Sequence, residues 1–196
     1  MKKLFVLIPA LFLVWLALSP AQAEGSDCSD WRTSDAFSYS SLQSPKAFFY
    51  DDYASGKALK SFVVKGDVVA VRNVKFDFAC VVYINKKGLA TIGWLELKAL
   101  KDTKVPGSAV GKWKLLKNGT SLGIEIQSNK LTGVANLNAS NESWISGSLS
   151  KSGNLWAVQD GNCTLAGLFL NGFLMVRTSD HCSHLKINFS GVFGRT

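Results

Sequence analysis

Residues capable of acid–base or nucleophilic chemistry are few in this 196-residue chain. Its only histidines are His181 and His184, on either side of Cys182. Asp51 and Asp52 are adjacent, so a strand or turn points them apart, whereas general acid–base catalysis uses carboxylates that are held close together. Gly119–Gly123 reads Gly-Thr-Ser-Leu-Gly and matches the Gly-x-Ser-x-Gly spacing, but a nucleophile elbow joins a strand to a helix, and the helix signal of this chain is poor. The chain contains no phosphate-binding glycine loop. We therefore expect a protein that is not an enzyme and uses no cofactor.

The cysteines Cys28, Cys80, Cys163 and Cys182 form an even set. In an exported chain they predict two disulfide bonds, for which three connectivities exist. Segregation between the two halves of the chain favours Cys28 with Cys80 and Cys163 with Cys182, which leaves no thiol nucleophile. The alternative is a metal site made by Cys182 and its flanking histidines. Because no second cluster stands at zinc-finger spacing, we predict no metal.

The N-terminus predicts export. Lys2 and Lys3 precede an apolar run that begins at Leu4, and Ala21–Ala23 reads Ala-Gln-Ala, which suits a signal peptidase. A membrane anchor is the alternative, but the run is about 15 residues long and a spanning helix needs about 20. We therefore predict a signal peptide over residues 1–23, cleaved after Ala23, and a periplasmic or secreted product with no stable membrane anchor.

Positive charge is concentrated in one part of the chain. The whole sequence carries a net charge of +8, and residues 57–117 alone carry 13 basic and 4 acidic side chains. Solvated surface lysines are the ordinary explanation. The alternative is an anionic partner, such as peptidoglycan carboxylates, a lipid headgroup or an acidic protein, and Lys86 and Lys87 in a predicted hairpin turn are candidates for that contact. Nucleic acid is disfavoured by the compartment.

Aromatic side chains offer a second kind of binding surface. We expect Phe49, Phe62 and Trp94 to fill a core. Tyrosine needs a wet or hydrogen-bonded hydroxyl, so the three tyrosines of this region are candidates for a binding surface. They are Tyr50, Tyr53 and Tyr83.

The strand signal is dense and the helix signal is poor. Short β-branched and aromatic runs alternate with Gly, Asn and Asp turn residues. Leu122–Ile126 and Lys186–Ser190 alternate apolar and polar side chains, which indicates strands with one buried face. Asn171-Gly172 predicts a type I′ hairpin turn. Further strands are predicted at 46–50, 62–64, 68–71, 80–84, 93–97, 131–135, 144–149, 165–169 and 173–176.

Residues 46–102 resemble a bacterial SH3-like domain. The resemblance rests on Val64–Asp67, which reads Val-Lys-Gly-Asp, and on Gly93–Leu95, which reads Gly-Trp-Leu, followed by Leu97 and Leu100. It implies a small barrel, and in SH3 folds aromatic side chains line a groove for an extended peptide. The bacterial character of the motif and the Lys-Lys opening favour a Gram-negative periplasm.

The second half is similar to a family of uncharacterised exported bacterial proteins, through Gly111–Trp113, Leu131–Ala135, Cys163 and the ending from Cys182 to Phe193. Ser183 and His184 replace two glycines of those relatives, and Gly194–Thr196 weakens their aromatic and basic ending. Periplasmic lysozyme inhibitors are similar only in size, export, disulfide and strand number, which is an analogy.

Together these features predict an all-β chain, with an N-terminal SH3-like barrel and a C-terminal antiparallel β-barrel or sandwich. The predicted divisions are an extension at 24–44, the first barrel at 45–102, a linker at 103–110 and the second domain at 111–196.

We expect an exported, non-enzymatic inhibitor or immunity factor that binds a toxin or cell-wall hydrolase. The candidate contacts are Tyr50, Asp51, Asp52 and Tyr53 in the first barrel, with His181, Ser183 and His184 on the disulfide-held turn of the second. The alternative is a peptidoglycan-binding or envelope-adaptor module.

Overall fold

The structure is a computed structural model that describes residues 28, 37–104, 107–116, 121–128, 130–136, 142–152, 155–179, 181–182 and 188–196. The predicted signal peptide lies outside these residues. The prediction of an all-β chain is confirmed, because regular structure in the described part consists of strands and one short 3₁₀ turn at Leu97–Ala99. No helix in that part is long and apolar enough to cross a membrane.

The first sheet contains seven strands. They are β1 (Ser38–Leu42), β2 (Lys46–Tyr50), β3 (Ala58–Val64), β4 (Val68–Lys75), β5 (Phe78–Ile84), β6 (Ala90–Glu96) and β7 (Leu100–Asp102). The order across the sheet is β3-β2-β6-β5-β4-β1-β7, so β3 and β7 are its edges. Strand β1 falls inside the predicted extension at 24–44, and pairs with both β4 and β7.

The predicted core residues of the first sheet divide into two groups. Phe49 and Trp94 are each 1% exposed, as predicted. The prediction for Phe62 is wrong, because its side chain is 46% exposed on edge strand β3. Phe48 faces Phe62 across the β2–β3 ladder, and Phe49 points to the opposite face because successive strand residues alternate.

The second sheet contains nine strands. They are β8 (Gly111–Leu115), β9 (Ser121–Ile126), β10 (Lys130–Asn136), β11 (Glu142–Ser148), β12 (Ser150–Ser152), β13 (Leu155–Asp160), β14 (Cys163–Leu170), β15 (Phe173–Thr178) and β16 (Gly191–Arg195). Their order is β11-β10-β9-β8-β16-β15-β14-β13-β12. The two sheets curl into a half-barrel and a near-barrel. Gly147 of β11 lies against Val158 and Gln159 of β13, which brings distant parts of the second sheet together.

Two sequence predictions for the second sheet have different outcomes. Asn171 and Gly172 form the tight turn between β14 and β15 with φ angles of 53° and 83°, and the predicted hairpin is confirmed. The predicted strand Lys186–Ser190 is wrong over its described residues, since Asn188–Ser190 are not in a strand. Phe189 nevertheless is fully buried in the core with Trp113 and Phe193, so its apolar side chain packs there without strand pairing.

The two sheets pack against each other through a separate apolar cluster. Tyr39 and Ile84 of the first sheet meet Leu168 and Met175 of the second in this cluster. The Tyr39 hydroxyl also donates a hydrogen bond of 2.6 Å to the carbonyl oxygen of Phe169. Apolar burial and a partly buried hydrogen bond therefore hold the sheets together.

The β14–β15 turn adds a second polar link between the sheets. The side-chain Nδ2 of Asn171 lies 3.0 Å from the carbonyl oxygens of both Val68 and Ile84. One amide group of the second sheet therefore donates to two strand ends of the first.

Both predicted disulfide bonds are present. Cys28 is bonded to Cys80, and Cys163 is bonded to Cys182. Bonding to Cys163 also removes Cys182 from the alternative metal site. Two disulfide bonds are consistent with an oxidising extracellular or periplasmic environment.

Candidate functional site: an aromatic surface on the first sheet

The most exposed large apolar side chain in the described part of the chain belongs to Phe76, at 83%. It occupies the two-residue turn between β4 and β5, where Lys75 pairs with Phe78. Its φ angle is +51°, in a region that a bulky side chain rarely adopts. This aromatic ring therefore combines exposure with an unfavourable backbone conformation.

Phe76 is not isolated. Its ring centroid lies 5.7 Å from that of Tyr53, and Tyr53 in turn packs edge-to-face on Trp94 at 5.0 Å. The Lys75 ammonium group lies 5.8 Å from the centroid of Tyr53. The turn is thus connected through Tyr53 to a fully buried tryptophan.

The Cys28–Cys80 disulfide lies beneath this cluster. Cys28, Cys80 and Trp94 form a buried group, against which Tyr50 and Tyr53 pack. The Cys28 sulfur lies 3.3 Å from the carbonyl oxygen of Gly93. The disulfide therefore fixes the layer on which the tyrosines rest.

A second pair of rings continues the surface. Tyr50 at the end of β2 packs edge-to-face on Phe78 at the start of β5, with their centroids 5.2 Å apart. We define the aromatic surface as Tyr50, Tyr53, Phe76 and Phe78. A cleft beside it is lined by Asp77, Phe78, Glu96, Leu97 and Lys98.

Two of the charged groups at this cleft, Glu96 and Lys98, are paired with each other. The Lys98 ammonium group lies 2.9 Å from one oxygen of Glu96, and the Tyr50 hydroxyl donates to the other at 3.3 Å. The hydrogen bond from Lys98 is the main cause that lowers the pKa of Glu96, and burial is the main cause that raises the pKa of Tyr50. Glu96 is thus held ionised at neutral pH and does not serve as a proton donor there.

The carboxylates of Asp51 and Asp52 hold the loop after β2 in shape. An Asp51 oxygen accepts from the Asp52 amide at 2.8 Å and from the Ser55 hydroxyl at 3.2 Å. An Asp52 oxygen accepts from the Ala54 amide at 3.0 Å. The two carboxylates therefore position the segment that carries Tyr53, and their contacts are those of a turn.

The other predicted candidates lie elsewhere. Tyr83 packs at the edge of the first sheet's core, where burial and a hydrogen bond to Asp67 raise its pKa to about 12. Lys86 and Lys87 are exposed in the β5–β6 turn, whose shape depends on two backbone amides that donate to the Asn85 side chain.

The β5–β6 turn and Phe76 stand at opposite ends of β5, about 20 Å apart at the usual strand rise. His181 is exposed on the second sheet's side beside Cys182, whereas Ser183 and His184 lie outside the described residues. Of the candidates that the structure describes, it thus brings together only the four from Tyr50 to Tyr53.

Sequence reasoning missed Phe76 and Phe78. Lys75-Phe76-Asp77-Phe78 looks like part of a continuous apolar and charged run, and phenylalanine is not a residue that predicts a turn with positive φ. The available signal was Asp77, a turn-forming residue between two predicted strands. That signal locates the turn but does not show that Phe76 is exposed.

Comparisons with known proteins do not add a family to this description. No family model matches the chain, and no curated protein or solved structure matches it significantly.

Proposed function

We propose that this chain is an exported, non-enzymatic protein that binds and restrains another protein, a toxin or cell-wall hydrolase, with Phe76 at the centre of the contact. Phe76 is the observation that carries the proposal. An exposed aromatic side chain in a positive-φ turn is costly for the free protein, and such outliers are a basis for inferring function. Aromatic side chains of this kind dominate the energetics of many protein interfaces.

The surroundings of Phe76 suit insertion into a cleft of a partner. The turn projects from two paired strands, and Tyr53 supports the ring from one side. A disulfide and a buried tryptophan lie beneath Tyr53. A preorganised loop loses less conformational entropy when it docks, so this arrangement favours tight binding without any chemistry of its own.

The test is capture of a partner from periplasmic extract by the oxidised mature chain, residues 24–196, with and without the substitution Phe76→Gly. Glycine accepts the turn's φ angle, so the variant is expected to fold at least as well as the parent. Loss of a hot-spot side chain costs about 2 kcal/mol or more, which corresponds to an approximately 30-fold or greater weakening of binding.

Leu89→Ser is the matched control. Leu89 is another exposed apolar side chain, at 63%, but stands in the turn at the opposite end of β5. Its substitution is expected to leave capture unchanged. Equal capture by the Phe76→Gly variant, or turnover of peptidoglycan or a lipid ester by the purified chain, would refute the proposal.

A second candidate function is peptidoglycan binding through an SH3-like first domain. The cleft beside the aromatic surface supports it, because Phe78 offers an apolar wall and the Glu96–Lys98 pair offers both charges to a stem peptide with amino and carboxylate groups. Sedimentation with purified sacculi distinguishes the two functions. Co-sedimentation that Glu96→Gln abolishes, without capture of a protein, would favour peptidoglycan binding.

A further inference from the structure

Strand β3 is an unpaired edge of the first sheet. It pairs with β2 on one side, and no described strand follows it on the other. Edge strands with free backbone groups can accept an added strand from another chain, and proteins that do not use them generally cover or block them.

The hydrogen bonds around β3 show which backbone groups face outward. The Lys65 amide donates toward the β2 side, to the Pro45 carbonyl, whereas the Val64 amide turns away and donates to the Asp67 carboxylate at 2.9 Å. The β2–β3 register shifts between Phe48 and Tyr50, but the exposure of the β3 side chains alternates from Ala58 to Val64. Because backbone groups alternate with the side chains, the N–H and C=O groups of Lys60 and Phe62 point the same way as those of Val64, away from β2. Among the described residues, no hydrogen-bond partner reaches the outward N–H and C=O groups of Lys60 and Phe62.

Apolar side chains stand beside this open edge. Phe48, Phe62 and Val64 are 41%, 46% and 43% exposed, and the two rings contact edge-to-face with centroids 6.0 Å apart. The Lys46 ammonium group lies 3.9 Å from the Phe62 centroid and 4.4 Å from that of Phe48. An added strand would place its side chains beside Phe62 and Val64 of β3, on the face where the Lys46 ammonium group lies over the Phe62 ring.

The charges along the edge define what can occupy it. Lys46, Lys57, Lys60 and Lys65 surround β3, and no described carboxylate forms an ion pair with any of them. A second copy of this chain would place like charges together when two β3 strands pair. An acidic strand would neutralise the same lysines.

We propose that β3 binds an extended acidic segment of a partner protein as an additional strand of the first sheet. The Phe62 and Lys60 backbone groups supply the hydrogen bonds, the exposed rings contact apolar side chains of the segment, and the lysines select its acidic side chains. This site is separate from the aromatic surface and does not depend on the function proposed for Phe76.

The experiment uses the oxidised mature chain, ¹⁵N-labelled, with the synthetic probe acetyl-Thr-Val-Thr-Val-Thr-Glu-Thr-Glu-Thr-amide at about 1 mM. On one face this peptide presents valines toward the rings and glutamates toward the lysines. The expected result is a slowing of amide hydrogen exchange at Lys60 and Phe62 by about tenfold or more. The same peptide with lysine in place of glutamate is expected to produce no slowing.

Variants at Lys60 separate the backbone from the charge. Lys60→Pro removes an outward N–H that has no partner among the described residues, so it blocks strand addition while sparing the β2–β3 ladder. Lys60→Ala keeps that N–H and is expected to bind several-fold more weakly. If the Lys60→Pro variant does not fold, the change in amide hydrogen exchange of the parent chain on adding the acidic peptide still tests the proposal.

Two results would overturn the proposal. One is unchanged exchange at Lys60 and Phe62 with the acidic peptide. The other is protection of the same amides without peptide as protein concentration rises, accompanied by a dimer in sedimentation, which would assign the edge to a second copy.

Discussion

Asn171 is expected to couple the two sheets, and replacing it tests that role. Its side-chain amide donates to the carbonyl oxygens of Val68 and Ile84 at 3.0 Å each. Asn171→Asp keeps the size of the side chain and its tolerance of positive φ, but presents a carboxylate to two carbonyl oxygens. The substitution therefore removes both hydrogen bonds with little change in packing.

The magnitude follows from these contacts. A typical hydrogen bond contributes about 1 kcal/mol to stability, so loss of both costs about 2 kcal/mol. One of the two bonds is solvent-exposed and the other is partly buried, so water can replace part of the loss, whereas repulsion of the new charge adds to it. We expect a decrease of about 1–2 kcal/mol in the free energy of unfolding.

The assay is urea unfolding at pH 7, followed by tryptophan fluorescence. Trp94 reports on the first sheet, and Trp113 and Trp156 report on the second. With a denaturant slope of about 2 kcal/mol per molar urea, the midpoint should fall by about 0.5–1 M.

The control is Asn188→Asp, which makes the same chemical change in an exposed segment. The Asn188 side-chain oxygen accepts a hydrogen bond of 2.8 Å from the Ser190 amide, and a carboxylate can accept it equally well. Its unfolding free energy is expected to change by no more than that of an ordinary surface substitution, about 0.5 kcal/mol. Equal midpoints for the two variants would refute the coupling role of Asn171.

Three further predictions concern the scaffold. Replacing both Cys163 and Cys182 by serine removes a disulfide between cysteines that are 19 positions apart in the sequence. The unfolding free energy should fall by about 3 kcal/mol, as measured by urea unfolding against the oxidised parent. Gly167→Ala would place a Cβ 2.5 Å from the Met175 backbone oxygen on the paired strand β15, and should lower the unfolding free energy by about 1–3 kcal/mol or more. Gly172→Ala has nothing within 4 Å of its Cβ, but its φ of +83° disfavours a side chain, so it should lower the unfolding free energy by about 1 kcal/mol.

Burial raises the pKa of Tyr83 to about 12, so folding favours its protonated form. Its contribution to stability is complete below the unfolded pKa of about 10 and is lost as pH rises from about 10 to about 12. Tyr83→Phe should remove this loss of stability with rising pH. Ultraviolet titration of the variant should show one fewer tyrosine that ionises at high pH.

Local chemistry in the sequence predicted much of the scaffold. Asn171-Gly172 specifies a hairpin turn because both residues accept positive φ, and the structure has them at 53° and 83°. The cysteine pairing followed from their division between two strand-rich halves. In each case the deciding interaction lies within a short segment or within one half of the chain.

The features that the sequence did not reveal depend on non-local register. Phe62 is as apolar as Phe49, but edge position and pairing opposite Phe48 place it on the outer face. The polar segment Ser38–Leu42 becomes β1 only because β4 and β7 lie on either side of it. The pattern of residues along one sequence does not show which strand lies at the edge of a sheet, or which distant strand pairs with it.

The same distinction separates the proposed sites from the predicted ones. Tyr50 and Tyr53 were identifiable from their residue type, but Trp94 and the Cys28–Cys80 bond that support Tyr53 come from three other segments. Closing that bond orders the buried layer beneath the aromatic surface. Opening it is therefore expected to weaken the preorganisation on which the binding that we propose for Phe76 depends, even where the rest of the first sheet stays folded. If the proposal is right, capture of a partner by the reduced chain should be weaker than capture by the oxidised chain in the same extract.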